Sequence, residues 1–191
     1  MRYRPEHKAE VHQKIVKDAS HRVRAEGLSG AAVAAVMGDT GLTHGGFYKH
    51  FGSKDDLVLE SLNQAFRDFG DTLVRAAEHS HTEEPWKAMV KAYLSPKHCD
   101  HAESGCPLTA LSPELARVGK NMRGRIVSEL VNYKNRMIPF MPGRRTADKE
   151  RAFFVIFSAM IGAVEIARML PERAAQEKVL AGTREFLLHS F

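Results

Sequence analysis

A chain of 191 residues can bury a sizeable core and stands between one large domain and two small ones. Its 43% hydrophobic and 27% charged residues suit a globular protein, and a formal charge of +5 is too small for a histone-like polyanion binder. Two cysteines, Cys99 and Cys106, exclude a disulfide-built secreted scaffold. The opening MRYRPEHKAEVHQK lacks an apolar signal core, and the longest apolar stretch, Ala152 to Val164, reads as too short for a bilayer span. A reduced, cytoplasmic protein is the expectation. The charge is uneven: residues 1–54 hold nine Lys/Arg against five Asp/Glu, which leaves a surplus of one for the other 137 residues.

Period-two alternation and Asn-Gly or Asp-Gly turns are missing, and helical periodicity runs throughout. A first helix is expected from His7 to Glu26, with Val11, Ile15, Val16, Ala19 and Val23 on one face and Gly27 as its stop. Ser29 is placed to cap a short second helix ending near Met37. Gly38 and Gly41 bracket a turn, and Thr43 is placed to cap a third helix reaching His50. Ser53-Lys-Asp-Asp is a capping-box signal opening a long fourth helix through Leu57, Leu62, Phe66, Phe69 and Leu73. A fifth helix runs from Glu83 to Leu94 and is ended by Pro96; KHCDHAESG follows as a loop. Pro107 starts another short helix. Three longer ones cover Asn121 to Ile138, Ala147 to Leu170 and Arg173 to His189. The fold class is all-α with about nine helices, divided into residues 1–54 and 55–191.

The string Gly41-Leu-Thr-His-Gly-Gly-Phe-Tyr-Lys-His-Phe-Gly-Ser-Lys-Asp-Asp-Leu resembles the DNA-binding signature of the TetR family of transcriptional regulators. The resemblance implies an N-terminal helix-turn-helix and a helical effector-binding domain that dimerises through its last two helices. It also implies binding to double-stranded operator DNA, most often as a repressor. Two positions depart from the family pattern. Gly46 stands where a small hydroxyl residue is common, and His44 where Lys or Arg often is.

A recognition helix meets base edges with its N-terminal side chains while flanking groups hold phosphates. Thr43 and His44 are the candidates for groove contact, and Gly45 and Gly46 let the backbone approach DNA. Two glycines in so short a helix weaken it by roughly 2 kcal/mol, which packing by Phe47 and Phe51 must offset. Tyr48, Lys49 and His50 carry phosphate-binding chemistry; the resemblance assigns it chiefly to Tyr48 and His50. Lys54 lies in the first turn of the fourth helix, where free amides also favour phosphate. Arg2 and Arg4 form a candidate arm.

The segment Ala152-Phe-Phe-Val-Ile-Phe-Ser-Ala-Met-Ile-Gly-Ala-Val is apolar on nearly every face, so its own core or a partner must cover it. Gly162 and Ala163 permit close helix approach. The resemblance places an unidentified small-molecule effector among the middle helices, with Trp86, Met89, Tyr93, Met122, Phe154 and Met160 as candidate lining. Aromatic and Met residues at this spacing also serve as plain core. Gly105-Cys106-Pro107 sets a thiol at a helix start, where the dipole would favour thiolate and a thiol-reactive sensor, with Cys99 as resolving thiol; a buried apolar role is the alternative. His98, Cys99, His101 and Cys106 are zinc-type ligands, but their spacing matches no standard zinc pattern, and no metal or cofactor is expected. An enzyme built on this cluster and a non-specific architectural DNA binder are the competing classes.

Overall fold

A computed structural model of the chain describes residues 5–41 and 43–191, with only the backbone of Pro5 and His44; among them are ten α-helices and no strand. α1 (Pro5–Glu26) buries Ile15, Val16, Ala19 and Val23 on one stripe. It stops at Gly27, whose φ of 77° is a left-handed value that glycine adopts at little cost. A Cβ there would also lie 2.5 Å from the Glu114 carboxylate, which accepts the Leu28 N–H at 2.9 Å. A 3₁₀ turn over Leu28–Ala31 follows. Ser29 therefore does not cap the second helix; its hydroxyl donates back to the Glu26 carbonyl.

α2 (Val33–Asp39) and α3 (His44–Phe47) are joined by a turn in which Gly41 has φ 71°. α4 (Lys54–Glu78) opens on the Ser53 N-cap that the sequence signal marks. Ser53 Oγ accepts from the Asp56 N–H at 3.1 Å and donates to the Asp56 carboxylate at 2.8 Å. α4 carries one apolar face past two cores. Its Leu57, Val58, Leu59 and Leu62 join Ile15, Val36, Met37, Phe47 and Phe51. Its Phe66, Phe69, Leu73 and Ala77 join the second core.

The C-terminal helices are α5 (Pro85–Tyr93), α6 (Pro96–Asp100), α7 (Pro107–Leu115), α8 (Lys120–Met137), α9 (Thr146–Met169) and α10 (Arg173–Ser190). α6 is the helix that the sequence reading leaves as loop. Pro96 does not merely end α5. It takes the first turn of α6, where its missing N–H costs nothing, behind the Ser95 cap on the His98 N–H. α7 and α8 reach into the N-terminal core through Leu111, Leu115 and Ile126.

α9, at 24 residues, is longer than its central apolar run, and by length and composition alone it could cross a membrane. One side of it packs into the second core through Phe153, Ile156, Phe157, Met160 and Val164, and α10 lies against it. The other side leaves Phe154, Val155, Ile166 and Met169 exposed.

Candidate DNA-binding surface and effector core

α3 is shorter than the sequence spacing implies, four residues followed by a turn through His50. Thr43 does stand at its N-cap, in extended conformation, but its side chain makes no capping bond. Phe47 and Phe51 are buried and stacked at 5.3 Å, which fixes α3 on α1, α2 and α4. Their rings point inward, and Tyr48 and Lys49 between them point out. Tyr48 is 67% exposed, edge-on to Phe47, and Thr43, Gly45, Lys49 and Lys54 are exposed as well. The His44 side chain, Arg2 and Arg4 lie outside the described structure.

Neither glycine of α3 has positive φ. A Cβ at Gly45 would meet nothing within 4 Å, and one at Gly46 would make only ordinary contacts, 3.6 Å to Met37. The fold itself thus gives no reason for Gly45. His50 is half-buried beside Phe51 and His12, and burial, then the neighbouring His12, Lys8 and Lys49 charges, lowers its pKa. At neutral pH it is an uncharged ring, able to donate a hydrogen bond but not a charge. The N-terminal turn of α4 holds Asp55 and Asp56 beside Lys54, with Asp56 paired to Arg125 at 3.2 Å, so Lys54 is the only cation of that turn.

The structure adds residues that motif spacing does not reveal. His7, Lys8 and Val11 of α1 line one cleft with Gly41, Thr43, Gly46, Tyr48, Lys49 and His50, with a volume of about 630 Å³. The periodicity of α1 marks only its buried face. Which exposed residues meet α3 depends on the crossing of the two helices.

Behind this surface a buried polar network ties α1 to the C-terminal helices. Arg24, almost fully buried, donates to the Gly105 carbonyl at 3.0 Å and to Ser20, and burial lowers its pKa. The Cys106 N–H donates to His98 Nε2 at 2.9 Å, and His98 Nδ1 lies 2.7 Å from the Tyr93 carbonyl, to which it donates. Arg168 of α9 donates to the carbonyls of Cys99 and His98 and to Thr109 Oγ1. A Cβ on Gly105 would sit 2.7 Å from the His98 ring. Both His98 nitrogens are used and His101 faces Glu103 at the surface, so the two histidines of the zinc-type set are engaged elsewhere.

Cys106 does precede α7, but its thiol is fully buried and burial raises its pKa, so the helix start does not make it a thiolate. Cys99 is buried, free and shifted upward for the same reason. The six candidate effector residues do not share one space. Trp86, Met89, Tyr93 and Met160 are packed core, Met122 rests against the N-terminal core, and Phe154 lines an apolar α8–α9 groove of about 270 Å³.

No protein-family model and no curated protein matches the chain. Solved structures do match it. A TetR-family transcriptional regulator from Cytophaga hutchinsonii superposes with TM-score 0.76 at 18% identity, covering 97% of both chains. A TetR transcriptional regulator from Chloroflexus aurantiacus gives 0.73 at 22% identity, covering 96% of this chain and 97% of its own. The transcriptional regulator FadR from Bacillus subtilis, crystallised with stearoyl-CoA, gives 0.67 at 17% identity, covering 94% and 98%. The fold is that of the TetR-family regulators.

Proposed function

We propose that the chain is a cytoplasmic DNA-binding transcriptional regulator, not an enzyme, that acts as a homodimeric repressor and leaves its operator when a small-molecule effector binds. The observation that carries this reading is the α3 surface. Gly45 is exposed and serves no purpose inside the fold, next to outward-facing Thr43, Tyr48 and Lys49 on a rigid aromatic footing. A backbone that must come close to another backbone needs that gap, and the flanking groups suit phosphates. Residues 1–54 would read DNA and 55–191 would bind effector and dimerise.

Dimerisation through α9 and α10 is supported by the apolar residues left bare there. Ile166 and Met169 of α9 and Phe186 of α10 are all exposed, Met169 by 81%. Gly162 and Gly182 have open space above them, which favours close helix crossing. A two-fold dimer presents two α3 surfaces to a pseudo-symmetric operator. Burial of Cys106 favours a non-covalent effector over a thiol-reactive one. The Arg24–Gly105 and Leu28–Glu114 bonds are the physical link through which an occupied core would move α1.

The test is titration of purified protein with DNA from immediately upstream of its own gene, across salt and in excess random DNA. Saturable, competitor-resistant binding with two chains per site and a steep salt slope is expected. Binding that random DNA abolishes overturns the reading. Ile166→Arg should yield a helical monomer; an intact dimer would move the interface away from this face.

A further inference from the structure

Tyr93 of α5 and Tyr133 of α8 are completely or almost completely buried, and both rings stand edge-on to Phe157 of α9, at 6.0 and 5.9 Å. The Tyr133 hydroxyl has no hydrogen-bond partner, and the Tyr93 hydroxyl has none but the Cys106 thiol. The polar group beside Tyr93 is the Cys106 thiol, a weak one. Burial drives both hydroxyls far above the usual phenol range, so both remain O–H donors. Burying a hydroxyl without a partner costs stability that phenylalanine would not forfeit. Two such groups converging on one ring point to something that arrives later.

The surroundings define its chemistry. Phe66, Phe69, Phe153 and Phe157 wall the site. The nearby polar groups, His98 and Arg168, are committed to carbonyls and Thr109, so they offer a ligand no charge to pair with. Phe157 and Phe153 also line the α8–α9 groove, which has room for a one- or two-ring molecule and separates the phenols from solvent. Phe157 is the ring that groove and phenols share.

We propose that Tyr93 and Tyr133 are paired donors for the accepting oxygen of an uncharged aromatic carbonyl compound, held against Phe157 and admitted through the α8–α9 groove. This rests on the effector reading above, deepening it to a ligand class. The test compares 2-acetonaphthone with 2-ethylnaphthalene, which share a ring system and differ in the carbonyl, by titration calorimetry on the full-length protein without DNA. The ketone is expected to bind at least about tenfold tighter, the worth of one or two hydrogen bonds. In the Tyr93→Phe/Tyr133→Phe double variant that preference should vanish, while the unliganded variant melts at a higher temperature than the wild type. Equal affinity for the two probes, no binding of either, or a preference that survives in the double variant overturns the proposal. Operator release is measured separately. Tyrosine-dependent ketone binding that leaves operator affinity unchanged upholds the site and removes its effector role, whereas failed operator binding with intact ketone binding removes the regulator reading alone.

Discussion

The α3 surface and the core of the C-terminal bundle both contain residues that the isolated fold does not want, but in opposite senses. At α3 the surplus is at the surface: an exposed tyrosine and an exposed glycine in a helix that an alanine would strengthen. In the bundle it is interior: two phenols with at most a thiol to bond. Each departs from what folding alone would select, and such departures collect where a molecule meets a partner. The contrast sharpens inside the bundle against its buried histidine and its arginines, which are bonded, while Trp86 Nε1 is unpartnered like the phenols. His98, Arg168 and Arg24 are locked; Tyr93 and Tyr133 are idle.

Acid gives the largest test of that division. The His98 ring donates through Nδ1 and accepts through Nε2, so a second proton would set an N–H against the Cys106 N–H. Burial lowers its pKa from 6.5 to about 4. The unfolded chain therefore takes up this proton first. The stability contributed by a neutral His98 is complete above about pH 6.5 and is lost as pH falls toward 4, by about 3 kcal/mol. Urea unfolding of wild type and His98→Gln across that range isolates the contribution. The wild type should lose its advantage steadily on acidification, and parallel curves would show that His98 is not locked.

Gly105→Ala tests the same lock from the other side. Its new Cβ would press on a ring that two hydrogen bonds prevent from moving, at 2.7 Å, and an overpacked site of this kind costs about 2 kcal/mol. It should also disturb the Arg24–Gly105 bond that joins α1 to the bundle. Gly46→Ala, with only 3.6 Å contacts in a helix that alanine suits, is the control and should leave the denaturation midpoint level or raised. Equal midpoints for the two variants would mean that the His98 ring yields.

The sequence made the helical architecture and the candidate DNA-binding motif legible because both are local. Periodicity marks a buried stripe, Gly27 and Gly41 mark positive φ, and Ser53-Lys-Asp-Asp marks a cap. α6 was illegible because its five residues carry no period and its proline reads equally as a stop or a start. For Cys106 the sequence leaves sensor thiol and buried core both open, because a helix start argues for a low pKa only when solvent reaches the thiol, and burial depends on α5, α8 and α9 together. His7 and Lys8 join the α3 cleft by helix crossing, and the idle phenols by the meeting of three helices. None of these has a sequence signal within ten residues of itself.

The smallest effect probes the α3 side of the comparison and is the most discriminating. Gly45 is helical, exposed and without neighbours within 4 Å of a Cβ. Alanine there should raise stability by up to about 1 kcal/mol, because it restricts the unfolded chain and suits a helix. If the glycine exists to let DNA approach, the same methyl should weaken operator binding roughly tenfold, the size of a small steric or positional loss, while leaving the salt slope intact because no cation is removed. Stability and affinity would then move in opposite directions in one variant, which a purely structural role for Gly45 cannot produce. A variant both more stable and fully able to bind would show that the backbone of α3 does not come close to DNA at this position. The exposed Tyr48 and Lys49 would then be left to carry the contact.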